Sequence, residues 1–265
     1  MIINARPTFW ATGYTKDEHL HRVSTRVRAE EVMEYPGDKG GARIWVKPRH
    51  LGPVKDGDYV DVLDDIAVIP ELKKRPKVKV IAMAQFHYDY LKKELPNEIT
   101  LIYHHHINFE RIRRIRNKEL LGGMIGTPSK KTYDLVDEIK NKLNFETCFN
   151  YRTRTDMVDY YKKIDYLVIW YFGARDTYYV HPTKIINAAS FGIPSLAIPL
   201  KGYSEVEGLY IPIESVDDIE KEVEKLKDEK YYQEFSDKIY QEAEKYHISN
   251  TTKEYERLDD YIHDL

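Results

Sequence analysis

The chain has a single cysteine, Cys148, in 265 residues. One thiol cannot close an internal disulfide and has no second thiol with which to build a zinc cluster, so cysteine chemistry is excluded and Cys148 reads as a buried strand residue. No run of about 18 uncharged apolar residues occurs, which excludes a hydrophobic spanning helix. The opening Met1-Ile2-Ile3-Asn4-Ala5-Arg6-Pro7 has no basic stretch followed by an apolar one. No secretory leader is therefore expected, and the expected location is the cytoplasm. Repeats and low-complexity tracts are also missing, which argues against solenoids and disordered linkers.

What is present is the balance of a globular chain: 42% hydrophobic and 32% charged residues, with a net charge of -3. Residues 1–120 carry 22 Lys and Arg against 17 Asp and Glu, net +5, and the remainder is net -8. The basic half either solvates a surface or meets something anionic. The 22 tyrosines suit sugar or base stacking and equally suit half-buried surfaces.

Short Val-, Ile- and Tyr-rich runs alternate with amphipathic stretches, the pattern of βα units and a parallel sheet. Strands are predicted at 42–47, 59–63, 78–84 and 99–104 in the first half, with helices at 18–34, 69–75 and 86–95. In the second half strands are predicted at 120–125, 145–149, 166–171, 195–200 and 210–212, with helices starting near Pro128, Thr155, Pro182 and Ser215. The charged passage 107–118 is the expected boundary. Two further helices, 230–246 and 250–265, follow.

The most informative stretch is His181-Pro182-Thr183-Lys184-Ile185-Ile186-Asn187-Ala188-Ala189-Ser190-Phe191-Gly192-Ile193-Pro194. Pro182 suits the first helical position and Gly192 with Pro194 ends the helix. Free amides at Thr183 and Lys184, the Thr183 hydroxyl and the Lys184 ammonium then form a phosphate site at a helix N-terminus. The plain alternative is an ordinary αβ unit with a solvated lysine.

At this point the sequence resembles the group 1 glycosyltransferases, retaining nucleotide-sugar enzymes of the two-Rossmann-domain GT-B fold. The likeness is carried by Asn187-Ala188-Ala189-Ser190-Phe191-Gly192-Ile193-Pro194, the strand at 195–200 and Gly202-Tyr203-Ser204-Glu205. Upstream it is carried by Gly122-Gly123-Met124-Ile125-Gly126-Thr127-Pro128 and the helix-to-strand passage 160–168. The resemblance implies an α/β fold with two Rossmann-like domains. It implies an acceptor-side domain over 1–112, shorter than the family's norm, and a nucleotide-sugar domain over 113–246. A terminal helix at 247–265 would return to the first domain. The implied activity is metal-independent hexosyl transfer from a nucleotide-diphosphate sugar to a hydroxyl acceptor, with no cofactor. The expected donor contacts are Gly126, Thr127, Arg152, Arg154, Pro182, Thr183, Lys184, Asn187, Gly202, Tyr203, Ser204 and Glu205. The family's two acids fall here on Tyr179 and Asn187, which replaces the ribose-binding carboxylate with an amide.

Candidate bases for an acceptor hydroxyl are His19, His21 and His87, each after a strand of an open sheet. His104-His105-His106 does not read as a metal site, because adjacent strand residues face opposite ways. Asp61, Asp64 and Asp65 read as solvated loop acids. Two other readings stand beside transfer to a small acceptor. One is glycosylation of modified DNA, for which the run Arg43-Ile44-Trp45-Val46-Lys47-Pro48-Arg49-His50 is the place to look. The other is a catalytically silent GT-B relative that binds or scaffolds.

Overall fold

The computed structural model describes residues 2–4, 28, 32, 43–48, 50–63, 67–173 and 180–258. The chain forms two compact units: Met1–His105 with Tyr178–His181 and Tyr246–Leu265, and His106–Thr177 with Pro182–Lys245. The change of unit at His105 falls just ahead of the passage at which the sequence placed it.

The first unit is built on five parallel strands in sequential order: β1 (Ile2–Asn4), β2 (Arg43–Val46), β3 (Tyr59–Asp61), β4 (Lys79–Ala82) and β5 (Ile99–Leu101). Ile44 pairs with Tyr59, Val60 with Val80 and Ile81 with Thr100. Strand alternation divides the apolar residues between two faces. Trp45, Val60, Val80 and Ala82 pack on one side with Leu72 of α1 (Ile69–Leu72) and Leu91 of α2 (Gln85–Glu94). Ile44, Val46, Tyr59 and Ile81 pack on the other with Tyr255 and Leu258. The second face is thus covered by the last described helix, Ile248–Glu256, as the resemblance implied.

That helix is pinned by a buried polar network. The Arg28 Nε donates to Asp61 at 2.7 Å, its Nη1 donates to the Tyr103 carbonyl at 2.7 Å, and the Tyr255 hydroxyl donates to Asp61 at 2.9 Å. Asp61 is therefore not a solvated loop acid. It is buried and paired, because a parallel sheet covered on both faces leaves a strand-end carboxylate no water to face. The helix predicted over 18–34 lies, but for Arg28 and Val32, outside the described residues.

The second unit has parallel strands in the order β10 (Ile211–Pro212), β9 (Ser195–Ala197), β8 (Tyr166–Ile169), β6 (Gly122–Ile125) and β7 (Phe145–Cys148). Its first strand in chain order, β6, lies between β7 and β8, so chain direction reverses there and the loops after β6 and β8 diverge. Such a switch point is where open α/β sheets bind ligands, beyond the carboxyl ends of the strands. The unit's helices are α3 (Lys130–Lys140), α4 (Arg154–Tyr161), α5 (Thr183–Ser190), α6 (Val216–Leu226) and α7 (Glu229–Ala243); the terminal helix of the first unit is α8. Gly192 ends α5 at φ +74°, where a Cβ would meet the Ser236 hydroxyl at 2.7 Å. The arginines of the 107–118 passage are consumed locally: Arg111 pairs with Glu244, Arg113 with Asp237, Arg114 with Asp165 and Arg116 with Glu229. The charge of the expected boundary passage is therefore a clamp within the second unit.

Candidate functional site

Four of the second unit's helices begin with a side-chain cap: Ser129 for α3, Thr153 for α4, Ser215 for α6 and Asp228 for α7. Helix α5 does not. Its N-cap is Pro182, which has no side-chain acceptor to offer. The sequence put Pro182 one position later, at the first helical residue. The structure makes it the half-in residue whose carbonyl accepts from the Ile186 amide at 3.0 Å. Pro182 thus gives the positive end of the helix no side-chain cap.

Lys184 lies in the first turn of α5 and makes no hydrogen bond or ion pair with the described residues. Its side chain reaches solvent, and the protein around it lowers its pKa by desolvation. The ammonium lies against Gly126, the residue after β6, where an added Cβ would come within 2.8 Å of Nζ. Gly126 has φ +143° and donates to the Cys148 carbonyl across the strand ends at 3.3 Å. The positive φ favours glycine here, and the missing side chain lets the lysine end lie against the backbone. A helix start without a side-chain cap, an ammonium unpaired among the described residues and a glycine backbone together make a setting for an anion.

Beside Gly126, beyond β7, lies a cavity of about 550 Å³ lined by Tyr133, Cys148, Phe149, Asn150, Tyr151 and Arg152, among others. Tyr133 and Phe149 meet edge to face at 5.7 Å, and Tyr133 is exposed. The Arg152 guanidinium has no ion pair among the described residues. Cys148, expected to be a buried strand residue, is the last residue of β7 and only half-buried, because it opens onto this cavity. Of these residues the sequence pointed only to Arg152. The others gave no signal beyond the abundance of tyrosine.

No protein-family model and no curated protein sequence matches the chain. Solved structures do match it. TarM aligns with TM-score 0.57 at 14% identity, covering 89% of this chain and 58% of TarM. The pneumococcal O-GlcNAc transferase GtfA, solved with UDP and GlcNAc, aligns with TM-score 0.53 at 13% identity over 91% of this chain and 60% of that one. This chain has the GT-B fold. A variant of S. aureus TarM in complex with Fondaparinux, alpha-GlcNAc-glycerol and UDP gives TM-score 0.59 at 14% identity, with coverages of 89% and 59%. The chain thus spans about three fifths of the length of the GT-B structures it matches.

Within this GT-B chain the other expected donor contacts are dispersed. Arg154 opens α4 but is spent on a two-pronged pair with Glu110, at 2.6 and 2.9 Å, and on the Ile107 carbonyl at 2.8 Å. Asn187 is buried and accepts from the Ile107 amide at 3.1 Å, so the amide at the family's acidic position holds the chain's own backbone. Gly202, Tyr203, Ser204 and Glu205 form part of a 3₁₀ helix, Lys201–Val206. Tyr203 is buried there, edge to face with Tyr210 at 5.9 Å, and burial pushes its hydroxyl pKa up. The β6 glycines make room for side chains: a Cβ on Gly122 would strike the Tyr166 ring, and one on Gly123 the Tyr160 hydroxyl.

Of the candidate bases, His19 and His21 lie outside the described residues, as do Tyr179, Asp64 and Asp65. His87 is a buried residue of α2. His104 and His105 follow β5 instead of belonging to it, so strand alternation does not govern them; their rings meet edge to face at 5.4 Å, and His181 lies 5.1 Å from His104. Burial, with His181, His105 and Arg28 nearby, lowers the His104 pKa well below the usual histidine value. The basic run at 43–50 begins with β2, whose Trp45 is buried with its indole N–H on Asp58 at 2.8 Å. No described helix is long and apolar enough to cross a membrane.

Proposed function

We propose that this chain transfers a sugar from a nucleotide-diphosphate donor to a hydroxyl acceptor, and that the diphosphate lies between Gly126 and the start of α5. The observation that carries the reading is the Lys184 ammonium, unpaired among the described residues and set against Gly126 at a helix N-terminus without a side-chain cap. In glycosyl transfer the bond from the sugar carbon to the diphosphate oxygen breaks as the acceptor oxygen bonds to that carbon, negative charge grows on the departing diphosphate, and the acceptor's proton passes to that diphosphate or to solvent. Lys184 and the helix dipole stabilise the departing charge where it develops, which is the role a divalent metal would otherwise fill. The cavity beyond β7 takes the nucleoside, with Tyr133 or Phe149 against the base and Arg152 near its polar edge. The UDP named with TarM and GtfA supports a uridine donor.

A thermal-shift screen of UDP, GDP and ADP with their glucose and mannose esters tests this reading, since a ligand bound only by the native state raises the apparent melting temperature. At least one diphosphate should stabilise the protein in a concentration-dependent way. No shift with any of them at millimolar concentration would refute it.

A further inference from the structure

Strand β8 pairs with β6 in the register Gly122 to Tyr166 and Gly123 to Leu167. Continued to the strand ends, this brings Trp170 level with Gly126, each the first residue beyond its strand. Trp170-Tyr171-Phe172 thus leaves the sheet on the β8 side of the switch point, as the cavity of Tyr133 and Arg152 lies on the β7 side. Trp170 is half-buried, Phe172 is 44% exposed, and their rings lie 6.4 Å apart at 47°. Tyr171 folds over the backbone of Gly173, where a Cβ would come within 2.6 Å of its hydroxyl. That packing holds the middle of the run in place and leaves the flanking rings as a step of apolar surface.

From the geometry we infer that Trp170 and Phe172 are the platform for the donor's sugar, which they hold by the apolar C–H face of a pyranose ring. The inference rests on the reading of Gly126 and Lys184 as the diphosphate cradle. A nucleotide sugar is a linear molecule: nucleoside, diphosphate, sugar. The second unit offers a matching linear sequence across three neighbouring strands, with the aromatic cavity beyond β7, the glycine and ammonium beyond β6, and the aromatic step beyond β8. The step thus leaves the strand next to the one that carries the cradle. A pyranose is apolar on its faces and polar at its rim, so an exposed ring covers the face and leaves the hydroxyls in water. A phenyl ring exposed beside a charged cradle gains by that cover what an isolated surface aromatic does not.

The test is calorimetric titration of UDP and UDP-glucose, and of GDP and GDP-mannose, into the native chain and the Phe172→Ala and Trp170→Ala variants. Phe172 is exposed, so its truncation leaves the fold intact; the melting temperature checks this for Trp170. Each variant should lose about five- to tenfold in affinity for the nucleotide sugar and keep its affinity for the free diphosphate. Phe172→Tyr and Trp170→Phe should retain most of the native affinity. The platform is overturned if sugar and diphosphate weaken equally, which gives the run to the nucleotide, or if neither changes. It is also overturned if the native chain binds diphosphate and nucleotide sugar equally well, an outcome that leaves the cradle standing. Failure of the native chain to bind any of the four overturns cradle and platform together.

Discussion

Replacing Lys184 should move stability and binding in opposite directions. In the free protein its ammonium has no partner among the described residues and a pKa lowered by desolvation, so the charge is a cost to the fold. Lys184→Met removes that cost and keeps the stem, and the melting temperature should hold or rise slightly. The gain is small because the side chain reaches solvent. Its pH dependence has a fixed sign. The folded pKa lies below the unfolded value of 10.5, so the native chain gains stability as pH rises from the folded value towards 10.5, and the variant should lack this gain. Binding should go the other way. A charge-assisted bond to phosphate in a partly dried cleft is worth about 1–3 kcal/mol, so diphosphate affinity should fall about five- to 150-fold. Lys184→Arg should recover only part, because the planar guanidinium differs in shape and reach. Gly126→Ala, which puts a methyl 2.8 Å from Nζ at a φ of +143°, should weaken the same binding, and the double variant should lose less than the sum of the two. Calorimetry on variants shown to be folded decides the matter. Unchanged affinity in Lys184→Met for every diphosphate that binds the native chain would refute the reasoning.

Arg152→Ala should weaken nucleoside diphosphates while leaving inorganic pyrophosphate unaffected; equal losses for both would place Arg152 with the phosphates. Tyr255→Phe should cost about 1–3 kcal/mol in denaturant unfolding, because it leaves the buried Asp61 short of one donor, and a change within error would show that Arg28 alone satisfies the carboxylate. His104 is held neutral by burial, with a folded pKa well below 6.5, so the unfolded chain takes up the extra proton first. Stability should therefore fall as pH drops below about 6.5 and level off below the folded pKa, and His104→Leu should flatten that slope in melting curves from pH 7.5 to 5.

The α/β character, every described strand but β1 and the starts of the second unit's helices were legible in the sequence because they rest on local chemistry. Alternating apolar runs, the hydroxyl at Ser215 where a helix was expected to start, and Gly192 with Pro194 each report on a few neighbouring residues. The same local chemistry marked the start of α5 and the ammonium at Lys184. Partnership was not legible. Arg152 and Arg154 are two residues apart with the same charge, yet one lines an open cavity and the other is taken by Glu110. Asp61 looks like any strand-end acid until Arg28 and Tyr255 are brought to it from far along the chain. Asn187 looked free to meet a ribose, but the Ile107 amide reaches it first. Local periodicity determined where helices and strands lie, since backbone hydrogen bonding and side-chain direction repeat within a few residues. Which charges stay open, and which glycine meets which lysine, was decided by the order of strands in the sheet, because that order brings distant segments within reach of one another.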